Sequence, residues 1–278
     1  MDSQTTTERT PAPNSGFAKK RVQWLIEHST SHQLLWYVDS FVLRNPLLRK
    51  AANRWLSLHK YIKFMGLFNL FSKKSLNPYK DEGLNKNYDL LFCDNPELYK
   101  QDNSTSVYPW NIIFCDTTSV DKLQVIVRDE KLESRPKILA HNLLLRNGYP
   151  EKERQLLGVI VEVSMPQGLD VLAAYSDGTA RYINHSEKLL VWESKTEQSK
   201  ALISNLFAVS LNVVNQIGVW NKKRKPSPNN GMVRLTFLVS DGLYFGEGQS
   251  EVLQNDPMGA PVITSATELL AYLTQQPK

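Results

Sequence analysis

Between Asp177 and Glu193 the sequence concentrates Arg181, Tyr182, His185, Trp192 and Glu193, side-chain types that form an acid/base or ligand site if the fold makes them converge. Strand alternation divides them. Arg181, Ile183 and His185 are expected on one face, and Tyr182 and Asn184 on the other. The plainer reading of His185 is a structural histidine at a strand end, and the same reading applies to His141, which falls in a short helix with no nucleophile beside it. Further acids follow at Glu247, Glu251 and Asp256. They are candidates for a catalytic partner, with solvated loop acids as the plainer reading. The catalytic candidates are therefore His185, Glu193 and Glu247.

Gly246-Glu247-Gly248 resembles part of a phosphate-approaching turn. It lacks the third glycine of a dinucleotide fingerprint, and Glu247 would repel an anion, so a turn is expected there. No GxxxxGK[ST], HExxH, GxSxG or EF-hand pattern occurs, and no reaction is specified by motif. Cys93 and Cys115 are the only cysteines in 278 residues. They make neither a disulfide framework nor a metal cluster, and buried reduced thiols are expected. No cofactor and no metal are called for.

Charge is the more specific signal. The chain carries a net +5, but residues 1–80 hold 13 Lys/Arg against 4 Asp/Glu, and the rest 20 against 24. No acid lies between Asp39 and Asp81, where Arg44, Arg49, Lys50, Arg54, Lys60, Lys63, Lys73, Lys74 and Lys80 accumulate. Three helices are expected over residues 17–68. The last, from Pro46, places Trp55, Ile62 and Met65 near one face and Lys50, Arg54 and Lys60 elsewhere. Such a helix suits an anionic membrane surface, or the phosphates of a nucleic acid, through Arg49, Lys50, Arg54, Lys60 and Lys63; it also suits packing against protein. A second basic run, Lys222-Lys223-Arg224-Lys225, reads as a phosphate-contacting or nuclear-localisation patch, or as a solvated loop.

The elements that must position these residues follow from hydrophobic period. Residues 1–16 are polar and rich in Thr and Pro, which predicts a disordered tail without a secretion signal. Residues 72–87 read as a linker. Beyond it, 110–115 and 123–127 read as strands and 135–145 as a helix. Residues 156–163, 169–175, 180–183, 189–192 and 233–239 read as further strands, with tight turns at Asp177-Gly178 and Asp241-Gly242. Ser194 with Glu197, and Ser265 with Glu268, match capping boxes for two helices, the first ending near Gly218 and the second near Leu273.

The expected fold is α+β, a largely antiparallel sheet with packed helices. Its domains are a tail over 1–16, a basic helical segment over 17–80 and the α+β domain over 81–278. No apolar run reaches the roughly 20 residues of a membrane span, and a cytoplasmic location is expected. The expected function is non-catalytic binding of a protein partner. The alternatives are an enzyme using the 177–193 hairpin, or a peripheral membrane or nucleic-acid binder acting through residues 44–74.

Overall fold

A computed structural model of the chain describes residues 77–100 and 105–276, all within one compact unit. The tail over 1–16, most of the basic helical segment and its residues Arg49, Lys50, Arg54, Lys60 and Lys63 lie outside the described residues.

Eight helices and six strands are present among the described residues, and the fold is α+β. In chain order the elements are α1 (Glu82–Leu90), α2 (Glu97–Lys100), α3 (Trp110–Ile113), α4 (Val120–Arg128), α5 (Ser134–Arg146), β1 (Leu156–Met165), β2 (Gly168–Tyr175), β3 (Ala180–Ile183) and β4 (Leu189–Trp192). Then come α6 (Glu197–Val214), β5 (Met232–Val239), β6 (Gly242–Gln249), α7 (Ser250–Asn255) and α8 (Gly259–Gln275). The strands form one antiparallel sheet in the order β4-β3-β2-β1-β5-β6. The chain meanders outward from β1 to one edge, crosses back through α6, and completes the other side with the β5–β6 hairpin.

Each face of the sheet has its own core. Val159, Val161, Leu172, Leu235 and Phe237 pack against Leu206 and Val213 of α6 and Val262 and Leu269 of α8. Ile160, Val171, Ala173 and Tyr175 on the opposite face meet Phe92, Leu123, Ile126, Leu139 and Leu144 from the α1–α5 layer. Two tyrosines fasten that layer to the sheet region, since Tyr79 Oη donates to the Leu169 carbonyl at 3.1 Å and Tyr175 Oη donates to the Leu91 carbonyl at 2.8 Å. No helix among the described residues is long and apolar enough to cross a membrane.

Several local expectations fail for identifiable reasons. Residues 110–113 and 120–128 are helical rather than extended. Ser119 accepts from the Lys122 amide as N-cap, and Leu123 and Ile126 are buried three residues apart, a helical spacing masked by the apolar run 123–127. Residues 82–87 are not linker, because Asp81 accepts the Leu84 amide and starts α1. The helix after β4 is capped by Thr196, not Ser194, and it ends at Val214 rather than Gly218. The last helix begins at Gly259, with the Asp256 carboxylate accepting the Met258 and Gly259 amides; Ser265 lies inside it, accepting from Asn205. Cys93 is buried, as expected, but Cys115 is exposed.

His141, inside α5, is buried with Nδ1 unpaired, and burial together with the Lys137 charge pushes its pKa from 6.5 down to about 4. The unfolded chain therefore takes up a proton that the folded chain resists. Stability is full above 6.5, falls as pH drops toward about 4 and levels off below. The loss attributable to His141 should be about 3 kcal/mol, at roughly 1.4 kcal/mol per pKa unit. Urea unfolding of His141→Leu across this range should show that part of the acid sensitivity removed; an unchanged pH profile would assign the sensitivity elsewhere.

Candidate functional site

On the face covered by α1–α5, the strand registers align side chains into rows that cross the whole sheet. One row runs Leu189, Ile183, Val171, Glu162, Arg234, Glu247, and the next runs Val191, Arg181, Ala173, Ile160, Thr236, Phe245. Charge thus enters the sheet at its centre. Glu162 is wholly buried and Arg234 nearly so. Arg234 donates through Nε to Glu247 Oε2 at 2.6 Å, and its Nη2 reaches the same oxygen at 2.5 Å. Glu162 Oε1 accepts the Tyr88 hydroxyl from α1 at 2.7 Å. Its Oε2 has no hydrogen-bond partner and stands 3.6 Å from Arg234 Nη1. Burial holds the Glu162 carboxyl above its ordinary pKa, opposed chiefly by Arg234.

The loop between α6 and β5 covers this charged region. Arg224, from the predicted basic patch, turns inward. Its Nη2 donates to Asp89 at 2.7 Å and its Nε to Asp94 at 2.8 Å, while the guanidinium lies 4.0 Å from the centroid of Phe92. Lys222, Lys223 and Lys225 remain exposed. Lys222 Nζ stands 5.5 Å from the centre of the Trp220 ring, and Lys225 Nζ stands 5.0 Å from that of Phe245.

The hairpin candidates separate in a different way from the one alternation predicts. β3 ends at Ile183, so the two-residue period stops before His185. The following turn brings His185 to the side of Tyr182, where both meet Asp170 of β2. His185 Nδ1 lies 2.9 Å from Asp170 Oδ1, the His185 amide donates to the same oxygen, and the Tyr182 hydroxyl donates to Oδ2 at 2.8 Å. His185 and Glu187 line an open groove of about 410 Å³ with Tyr79, Lys80, Glu82, Gln167 and Gly168. The Glu187 carboxylate is engaged there by the Lys80 and Asp81 amides.

Glu193 pairs with Arg181 at 2.8 Å rather than with His185. Glu247 is four strand spacings from β3, about 19 Å at ~4.8 Å per spacing, and does not share a site with His185. Gly246-Glu247-Gly248 lies inside β6 and forms no turn. Asp256 is a helix cap, and Glu251 sits in the first turn of α7. No group of three or more His, Cys, Asp or Glu able to hold a metal ion occurs among the described residues.

Asp170, Glu162, Arg234, Trp220 and Phe245 escaped the sequence reading. For two of them a signal existed: Glu162 and Arg234 are single, oppositely charged interruptions of otherwise apolar strands, a pattern that argues for mutual pairing.

Comparison of the chain with protein-family models, with curated proteins and with solved structures returns no match.

Removing the Arg224 side chain leaves two carboxylates beside buried aromatic rings. Because Asp89 and Asp94 retain partial solvent access, Arg224→Ala should cost about 1–3 kcal/mol, less than a fully buried pair. Lys223→Ala should stay within about 0.5 kcal/mol of the parent. Urea unfolding measures both, and trypsin should cut the 218–231 loop first in Arg224→Ala. Equal costs for the two variants would deny Arg224 its anchoring role.

Proposed function

We propose that the protein is a non-catalytic binding module that takes an extended segment of a protein partner onto the outer edge of β4. The supporting observation is the coincidence of free backbone and exposed apolar side chains on one short strand. The Asn184 amide donates to the Lys188 carbonyl. In antiparallel alternation, Tyr182 with Leu190 and Ala180 with Trp192 are then the hydrogen-bonded pairs. The backbone groups of Leu189 and Val191 point away from β3, and no strand pairs with them among the described residues. The two residues are 38% and 51% exposed. Leu190 and Trp192, on the other face, pack into the α6–α8 core, which holds the strand in place.

The opposite edge is less available. The Trp220 amide donates to the Leu243 carbonyl of β6 at 2.7 Å, and Leu253 of α7 folds over Gly248. Natural edge strands are usually protected by charge, proline or cover. An exposed apolar edge such as β4 suits strand addition, in which main-chain hydrogen bonds supply affinity and alternate side chains supply selectivity.

Selection from a displayed library of peptides about 12 residues long should enrich sequences with alternating β-branched or aromatic residues. Binding should protect the Leu189 and Val191 amides from hydrogen exchange and be abolished by Val191→Pro, which removes the outward amide. Enrichment of peptides that protect a different surface would sink the proposal.

The Asp170–His185 contact favours a second reading, a general base acting on water in the adjoining groove, since a carboxylate on Nδ1 orients the ring and leaves Nε2 as the acting nitrogen. Ser186 Oγ donates to Asn184 instead, so water rather than this hydroxyl is the nucleophile. Hydrolysis of a panel of nitrophenyl esters and phosphates should then fall at least about 100-fold in His185→Ala, with the melting temperature nearly kept. Turnover that survives the substitution, or no turnover in the parent, removes this reading.

A further inference from the structure

We propose that the 219–225 loop and the neighbouring Phe245 of β6 form a binding surface for single-stranded nucleic acid. Trp220 is held at two points, with its amide on the Leu243 carbonyl at 2.7 Å and its indole Nε1–H on the Lys223 carbonyl at 3.0 Å. It meets Phe245 edge to face, with centroids 4.9 Å apart and ring planes at 72°. The two rings are therefore fixed in orientation before any ligand arrives, and both remain partly exposed.

Cations surround them. Lys222 and Lys225 place Nζ 5.5 and 5.7 Å from the Trp220 ring centre, and Lys225 also stands over Phe245. Lys223 projects from the same loop. Arg146, exposed at the end of α5, donates to the carbonyl of Asp94, the residue whose carboxylate holds Arg224. None of the three lysines lies within ion-pair distance of a carboxylate among the described residues, whereas Asp89, Asp94 and Glu247 are each engaged by Arg224 or Arg234. Counting Glu162 as charged, the region holds six cations (Arg146, Lys222, Lys223, Arg224, Lys225, Arg234) against four carboxylates (Asp89, Asp94, Glu162, Glu247). Its excess is positive, and that excess is carried by the exposed side chains.

Fixed aromatic rings with exposed ammonium groups standing over them fit a ligand that alternates flat rings with phosphates. An unpaired base stacks on Trp220 while Lys222 or Lys225 leaves the ring for a flanking phosphate. A duplex hides its base faces and meets only the charge. An acidic peptide supplies charge without the repeated flat rings, and a lipid surface needs several projecting apolar side chains, for which this loop offers the exposed Val219. Arg224 makes the arrangement possible by fixing the loop's path from below, which leaves its three lysine neighbours directed outward.

The test uses the full chain, a labelled oligo-dT of about 15 nucleotides and fluorescence anisotropy over a salt series. The parent should bind saturably and prefer the single strand to a duplex of equal length. Replacing Lys222, Lys223 and Lys225 together by Glu should weaken binding at least tenfold and reduce the slope of log affinity against log salt by about 2, since each single-strand phosphate contact contributes about 0.7. Trp220→Leu should weaken it about five- to tenfold at every salt concentration, because stacking does not release ions. Phe245→Leu serves the same purpose if the Trp220 variant fails to fold. The proposal is overturned by absent oligo-dT binding or by unchanged affinity in the triple variant, which would move any binding to another segment. Equal binding of duplex and single strand, and a preference for phosphatidylserine vesicles or polyglutamate, are the other results that reject it.

Discussion

A carboxylate at the centre of a sheet has to be matched by charge and hydrogen bonds, and the meeting of Glu162 with Arg234 governs much of what surrounds it. Removing both ions from water costs several kcal/mol per ion before any attraction is counted. The surroundings are arranged to offset that cost. Tyr88 donates to one oxygen of Glu162, Glu247 takes the fork of Arg234, and the Lys225 carbonyl accepts from Arg234 Nη1 at 3.3 Å. These partners come from α1, β6 and the 218–231 loop. Segments far apart in sequence must therefore reach the same place for the pair to be tolerated, and removing one ion would cost more than replacing both by apolar residues.

The two faces of the sheet consequently differ in kind. Against α6 and α8 the packing is aliphatic and aromatic, made by long helices whose buried positions recur at helical spacing. On the other face, short helices and the basic loop close over a mixed surface in which Arg224 lies between two acids and the rings of Tyr88 and Phe92. Polar partners are directional where apolar ones are not. Beside its apolar core, the Glu247 end of that face is held by a small number of hydrogen bonds at set angles, and these fix the path of the loop that carries Trp220 and the three exposed lysines.

Much of the sheet was legible from the sequence, because β1, β2, β5 and the turns at Asp177-Gly178 and Asp241-Gly242 combine β-branched runs with residues suited to positive φ; Gly178 and Gly242 adopt +85° and +137°. The short helices α3 and α4 were not legible, since their buried residues fall in apolar runs that satisfy a strand template equally well over so few positions. Of the candidate site, the types were visible and the geometry was not. His185 was noticed, but its partner Asp170 lies 15 residues earlier on another strand, and the end of β3 that brings them together depends on where pairing stops. Arg224 looked like one more surface cation. Its inward turn depends on Asp89 and Asp94, 135 and 130 residues away along the chain, a separation that no local pattern encodes.

The row that begins with Glu247 and Arg234 at one side of the sheet ends with Ile183 and Leu189 at the other, so the two edges present opposite chemistry on one continuous surface. At the charged end, offsetting the desolvation of Arg234 and Glu162 takes partners from a covering loop, among them the Lys225 carbonyl, and that loop occupies a backbone acceptor on β6. At the other end the buried Arg181 is satisfied within the β3–β4 hairpin itself, by Glu193 and the carbonyls of Ala180 and Trp192, so it draws no covering loop, and the α1–α5 layer leaves Leu189 and Val191 outside its core. The open edge of β4 and the rigid basic loop beside β6 thus share a cause. The covering loop follows the Glu162–Arg234 pair, to which it supplies the Lys225 carbonyl, and it closes one edge with a cationic strap while the far edge keeps its backbone groups and apolar side chains facing water.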